Sequence, residues 1–255
     1  MVANTRIRLI TFDAFNTLFR QKVNPSVIYA KEAHRFGINV NPTNLQANFG
    51  PVYKSHVKAF PFYGRHQGKT PQLWWQELVY KTFLSSGVSQ KELDSSFDTL
   101  FHSLYHRFTS TESYALFQDT LPGLNILRQK GFRMGVISNS DERLTDILKS
   151  LELEGYFDFV TLSVDVGHEK PDKDIFEVAR RVKGNSDIAP ENCLHVGDTE
   201  RKDYYGALNA GWNAVLLDRE KLDFEEPFET SDPILKKNTL VSLVDLYPFI
   251  LKNLP

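Results

Sequence analysis

The chain has 255 residues, enough to bury a large core as one domain or as a domain with an insert. Its 41% hydrophobic and 24% charged content fits a folded globular protein, and no apolar run approaches the ~20 residues of a membrane span. The net charge of −2 hides an asymmetry: residues 19–110 carry eleven Lys/Arg against five Asp/Glu, whereas residues 111–255 carry seventeen against twenty-six.

The first expected element is a buried strand over Ile7–Phe12, an apolar run that ends at Asp13. A series of helices follows. Asn24–Phe36 has helical spacing with Pro25 in its first turn and Gly37 at its stop, and Thr43–Ala59 repeats the pattern. Pro61 to Pro71 reads as a loop, and Pro71–Leu84 and Gln90–Phe108 as further helices. Trp74 and Trp75 point to different faces of their helix, which places one of them in a core.

From Leu121 the pattern becomes strand and helix in alternation. Helices are expected over Pro122–Lys130, Asp141–Leu151, Asp172–Val182 and Lys202–Ala210. Strands are expected over Phe132–Ile137, Phe159–Val164, Cys193–Val196 and Ala214–Leu217. Residues 219–236 read as a loose acidic excursion, and Leu240–Leu251 as a closing helix. The alternation predicts an α/β fold, a doubly wound parallel sheet covered by helices on both faces. The helical run between its first two strands predicts an inserted cap. The expected division is a core of residues 1–18 and 115–255 and a cap of residues 19–114.

Four short signatures fall at expected strand ends: Asp13 in ITFDAFNTL, Ser138 and Asn139 in VISNS, Lys170 in EKPD, and Asp198 with Asp203 in HVGDTERKD. In a parallel sheet the carboxyl ends of the strands gather along one edge, where ligands bind. Taken singly each residue has an ordinary structural reading: a turn Asp, a Ser or Asn cap, a solvated Lys-Pro, an acidic helix start. Together, three carboxylates, a hydroxyl and a lysine suit a divalent cation and a phosphate group. A carboxylate at Asp13 can attack a phosphorus or carbon centre. A hydroxyl and backbone N–H groups at Ser138 and Asn139 can hold phosphate oxygens.

These motifs resemble those of the haloacid dehalogenase superfamily, and the likeness extends over nearly the whole chain. The resemblance implies a Rossmann-like core with a helical cap inserted after the first strand, and hydrolysis of a small, phosphorylated substrate. It implies Asp13 as nucleophile, Lys170 as charge stabiliser and substrate ligand, and Thr17, Ser138 and Asn139 as substrate ligands. It further implies Mg²⁺ held by Asp13, the main-chain carbonyl of Phe15, Asp198 and Asp203. Superfamily phosphatases place a second Asp, the general acid, where Phe15 stands. Such a group is typically worth ~10²–10⁴-fold, and a phenyl ring cannot transfer a proton.

Three readings follow from Phe15. A phosphatase can favour good leaving groups such as acyl phosphates. A 2-haloacid dehalogenase needs no proton for its halide, and an aromatic at this position matches that pattern. A binding or regulatory protein needs no turnover at all. Gly197-Asp198, which metal-dependent members carry, favours the first.

The single cysteine, Cys193, lies in an apolar run and reads as a buried thiol; with no secretion leader in MVANTRIRLITFDAF, the expectation is a cytosolic or nuclear setting. The basic segment 19–110 is either a lid that draws in anions or a scattered solvated surface, and Arg65 and His66 are either substrate-facing or solvated. It lacks a continuous basic stripe with aromatic interleaving, so nucleic acid is not an expected partner, and the absence of a long apolar run removes the membrane from the expected partners. His168 and His195 read as structural or near-site polar residues, and no zinc-ligand spacing occurs.

Overall fold

A computed structural model describes residues 6–182, 184, 187–219 and 232–254. The chain divides into two compact units: Met1–Arg20, Leu116–Ser140 and Glu152–Pro255 form the first, and Gln21–Ala115 with Asp141–Leu151 the second. The division differs from the expected one in that residues 141–151, which follow a core strand, group with the inserted segment.

The strands in chain order are β1 (Leu9–Phe12), β2 (Phe19–Gln21), β3 (Tyr114–Leu116), β4 (Arg133–Ser138), β5 (Phe159–Leu162), β6 (Cys193–Gly197), β7 (Asn213–Leu217) and β8 (Thr239–Leu240). Six of them build one sheet in the order β5-β4-β1-β6-β7-β8, with every neighbouring pair parallel. The first unit is therefore the α/β parallel-sheet core that the alternation predicts, Rossmann-like as the resemblance implies. β1 lies between β4 and β6, with Phe12 opposite Val136 on one side and Val196 on the other. All four residues of β1 are buried, as expected of a strand covered on both faces. β2 and β3 form a separate two-stranded sheet, and the unit boundaries fall within it.

Register places the ends of β1, β4 and β6 at one sheet edge, so Asp13, Ser138 and Gly197-Asp198 converge there. Gly197 is required by that convergence. A Cβ at position 197 would lie 2.3 Å from Cγ of Asp203, too close for any side chain. Beneath the edge, Phe176 packs against the His195 and Trp212 rings in edge contacts at 5.2 and 5.6 Å.

The helices of the second unit begin where their caps dictate. Asn24, Asn41 and Thr70 each accept a hydrogen bond from a backbone N–H of the first turn, and Pro25, Pro42 and Pro71 occupy the first helical position. Trp74 is the core tryptophan, 2% exposed, with Nε1–H donating to the Phe60 carbonyl at 2.9 Å. Trp75 has a different task. Its Nε1–H donates to Asp141 at 2.7 Å, and the Arg143 guanidinium, itself bound to Asp141, lies over the rings of Trp75 and Tyr105. This cluster explains why 141–151 belongs to the second unit.

Several boundaries differ from expectation. The first strand starts at Leu9, although Ile7 is buried. The helix expected over 90–108 is two, Gln90–Asp94 and Phe97–Arg107, broken at Ser95-Ser96, residues that compete for backbone hydrogen bonds. The loop 61–71 contains a short helical turn over Phe62–Gln67. β5 ends at Leu162, and the chain turns at once into Ser163–Val166. The excursion expected over 219–236 falls mostly outside the described residues, but Pro233–Lys237 is helical with Asp232 as its cap. The closing segment is a β8 strand, a turn over Leu243–Asp245 and the helix Leu246–Asn253. Among the described residues no helix is long and apolar enough to cross a membrane.

Candidate active site

A cleft of about 170 Å³ opens at the carboxyl edge of the sheet, lined by Asp13, Phe15, Ser138, Lys170, Asp198 and Asp203, with Asn16, Asn139, Thr199 and Lys202 completing it. Its centre is Lys170, which is 2% exposed. Its ammonium donates to Oδ1 of Asp13 at 2.6 Å and to the Ile137 carbonyl at 2.8 Å, and pairs with Oδ1 of Asp203 at 2.6 Å. An ammonium has three N–H donors, and all three are committed within the protein. A ligand in the cleft would therefore meet Lys170 through its charge rather than through a free donor. Burial works against that charge, but Asp13 and Asp203 outweigh it and hold the ammonium above its ordinary pKa.

Asn139 fixes the backbone that carries Lys170. Its side-chain amide donates to the Lys170 carbonyl at 2.8 Å, and its Oδ1 accepts from the Lys170 N–H at 2.7 Å. Both ends of the amide are engaged, so the Asn139 side chain positions Lys170; one N–H and one lone pair remain for the ligand role expected of it. Ser138, at the end of β4, lines the cleft, and its hydroxyl has no partner among the described residues. Thr17 departs from expectation outright. It is fully buried and does not line the cleft; among the described residues its hydroxyl has no hydrogen-bond partner, and its carbonyl accepts from Nε and Nη2 of Arg219 at 3.1 and 2.6 Å.

Asp203 is 1% exposed and heavily bonded. Besides Lys170 it accepts from the Thr199 N–H at 2.9 Å, and its Oδ1 lies 3.2 Å from Nε2 of His195. An ionised carboxylate only accepts, so Nε2 carries the proton and Nδ1 accepts from the Thr11 hydroxyl at 2.8 Å. His195 is therefore a support for Asp203, and burial pushes its imidazole down to about 4, neutral at pH 7. Burial alone would raise Asp203, but the Lys170 charge and the His195 contact hold it well below the usual carboxylate range. Asp13 lacks such support. Burial, reinforced by the charges of Asp203 and Asp198 and only partly offset by Lys170, pushes its carboxyl up to about 7. Asp198 follows, pushed up to about 6 by burial and by Asp203.

One oxygen from each of Asp13, Asp198 and Asp203 lies within 4.8 Å of the others. Hard oxygen donors at this separation fit Mg²⁺, which takes one or two carboxylates plus waters and substrate oxygens. Three carboxylates around one buried lysine leave a negative excess that a divalent cation would neutralise, and burial together with that excess raises Asp13 and Asp198. Phe15 lines the cleft with its ring in an edge contact 5.0 Å from Phe19. No titratable side chain stands at that position.

Asn16, Thr199 and Lys202 also line the cleft, although the sequence reading did not single them out. Asn16 has a φ of 56°, which orients the turn after Asp13. Their signal was proximity to the first and fourth motifs. Cys193 is buried, with its thiol pushed up to about 12 by burial, and is inert. His168 is half-exposed and pairs with Asp172 at 3.0 Å. Arg65 and His66 are exposed residues of the second unit.

A family profile described as haloacid dehalogenase-like hydrolase matches residues 7–211. The chain belongs to the haloacid dehalogenase-like hydrolase family. It is 36% identical over 211 residues to haloacid dehalogenase-like hydrolase domain-containing protein 3 of Xenopus laevis, covering 83% of this chain and 84% of that one. Two solved structures share the fold. A 2-haloacid dehalogenase from Pseudomonas syringae superposes with a TM-score of 0.67 at 22% identity, covering 96% of this chain and 99% of that one. The putative hydrolase YfnB from Bacillus subtilis, bound to magnesium, superposes with a TM-score of 0.66 at 15% identity and the same coverage. At these identities the likeness is one of fold, and the residues of this cleft must decide the chemistry.

Proposed function

We propose that this protein is a Mg²⁺-dependent phosphatase that acts through an aspartyl-phosphate on Asp13. The observation that carries the reading is the carboxylate triad of Asp13, Asp198 and Asp203, whose oxygens lie within 4.8 Å of one another and two of which pair with the buried Lys170. Loss of a halide needs no cation, whereas a cation site uses all three carboxylates. Bound Mg²⁺ would supply charge neutralisation for the phosphoryl oxygens and keep Asp13 ionised at neutral pH.

The remaining chemistry belongs to the chain. An oxygen of Asp13 attacks phosphorus, the bond from phosphorus to the leaving oxygen breaks, and that oxygen departs with the electron pair. Water then attacks phosphorus, the acyl-phosphate bond breaks, and inorganic phosphate leaves with Asp13 restored. The Ser138 hydroxyl and the backbone that follows it receive phosphoryl oxygens. Lys170, fixed by Asn139, lowers the cost of charge on Asp13 and the transferring group. Phe15 supplies no proton, so the leaving group takes one from solvent. Acyl phosphates and aryl phosphates, whose leaving groups are weak bases, suit such a site best.

Phosphate release from acetyl phosphate, para-nitrophenyl phosphate and common phosphometabolites tests the reading. Activity should require Mg²⁺, vanish with a chelator and fall at least ~10³-fold in Asp13→Asn. Full activity in that variant, or activity indifferent to the chelator, contradicts it. Phe15 also favours a second reading, hydrolysis of a 2-haloacid. Chloride release from 2-chloropropionate without metal would select that one, and silence in both assays would select a binding role.

A further inference from the structure

The cleft contains two lysines, and one of them is uncommitted. Lys170 spends its three donors on Asp13, Asp203 and the Ile137 carbonyl. Lys202 lines the same cleft beside Phe15, Asn16 and Thr199, with its side chain exposed. Its ammonium has no hydrogen-bond or ion-pair partner among the described residues. The backbone beneath it is well fixed. Glu200–Tyr204 forms a widened helical turn closed by bonds from the Asp203 and Tyr204 N–H groups to the Thr199 carbonyl at 2.8 and 3.4 Å. The two residues that follow Lys202 are each 1% exposed, Asp203 in the site and Tyr204 in the core. The lysine therefore projects from a rigid turn at the rim of the cleft.

Charge balance indicates what it meets. The three carboxylates are balanced by Lys170 and one divalent cation, so the site needs no further positive charge of its own. A cation that the protein leaves unpaired in such a cleft is surplus until an anion arrives. A phosphoryl group bound at Asp13 and the metal carboxylates leaves the rim for the rest of the substrate. We infer that Lys202 recognises a second anionic group on the substrate. The preferred class is then a small phosphate ester or acyl phosphate that carries a carboxylate or second phosphate close to the transferred group. An ammonium is a point charge without bidentate geometry, so it selects for charge rather than for one kind of anion. The inference rests on the phosphatase reading for the placement of the phosphoryl group.

Binding of two non-hydrolysable phosphonates at saturating Mg²⁺ tests it: methylphosphonate, which has no second anion, and phosphonoacetate, which has one. The full-length protein should bind phosphonoacetate about fivefold to twentyfold more tightly, the range of a charge-assisted contact at a partly exposed site. Lys202→Gln should bring the ratio close to one, and Lys202→Arg should retain most of it. No preference in the unaltered protein, or a preference that survives Lys202→Gln, overturns the inference and makes Lys202 a solvated rim residue. Failure of the phosphatase reading shows separately, as an absence of Mg²⁺-dependent phosphate release from any ester while the phosphonate preference persists. If neither phosphonate binds, both fall.

Discussion

Asp119 and Asp13 are carboxylates of the first unit, one partly buried and one buried, each bound to a buried cation, and their ionisation is driven in opposite directions. Asp119 takes two bonds from Nη1 of Arg219 at 2.7 Å, one from the Ser242 hydroxyl at 2.9 Å and one from the Leu243 N–H at 2.7 Å. Burial would raise its pKa, but the Arg219 and Leu243 hydrogen bonds win and hold it below the ordinary value. Asp13 shares Lys170 with Asp203, faces Asp198 as well, and is pushed up to about 7. The first carboxylate is satisfied and ties Thr17, Asp119 and the segment after β8 together. The second is left short of positive charge. Complete partnership marks a structural pair, and a shortfall marks a place where a ligand belongs.

The contrast can be broken most severely at Arg219. Arg219→Met leaves the partly buried Asp119 without its cation, which should cost about 2–4 kcal/mol. At about 2–4 °C per kcal/mol for a chain of this size, the melting temperature should fall by roughly 4–16 °C. Replacing both partners, Arg219→Met with Asp119→Leu, should recover much of that loss. A loss below about 1 kcal/mol in thermal or urea unfolding would show that the pair is not structural.

Asp13 should behave in the opposite sense. Its folded pKa of about 7 lies above its ordinary 3.8, so its ionisation costs the folded state. The associated stability is fully present below pH 3.8 and lost as pH rises through 7. Asp13→Asn removes the penalty, so without metal the variant should be the more stable protein above pH 7. The gain should reach up to about 4 kcal/mol and shrink as pH falls toward 4. A destabilised variant at pH 8 would place Asp13 with Asp119 instead.

Divalent cation should act on the same imbalance. Mg²⁺ at about 100 times its dissociation constant should stabilise the protein by about 2.7 kcal/mol. The effect should weaken below pH 6 as Asp198 and Asp13 take up protons, and be lost in Asp198→Asn. Equal stabilisation of that variant in a thermal shift assay would remove Asp198 from the cation site.

The sheet was legible because buried parallel strands are short apolar runs, and β1, β4, β6 and β7 are each such a run. The cleft was legible because Asp13, Ser138 and Asp198 each follow one of those runs, and the ends of neighbouring parallel strands must meet; Lys170 enters from beyond β5 and the turn Ser163–Val166. The missing parts depend on partners distant in the chain. Asn139 is engaged by the Lys170 peptide 31 positions later, and Thr17 by Arg219, 202 positions later. No local pattern encodes either contact. The grouping of 141–151 with the inserted helices likewise rests on Trp75, 66 positions before Asp141. Lys202 was passed over because an isolated lysine in a turn is ordinarily solvated; only its presence in the cleft without a partner distinguishes it.

The central claim is that Asp13 carries the phosphoryl group. The most direct measurement is intact-protein and peptide mass spectrometry after rapid acid quench of the protein with acetyl phosphate and Mg²⁺. The account predicts a single phosphoryl group on the peptide containing Asp13, absent with chelator and absent in Asp13→Asn. Continued phosphate release with no label on that peptide, or a label that forms without metal, would contradict it.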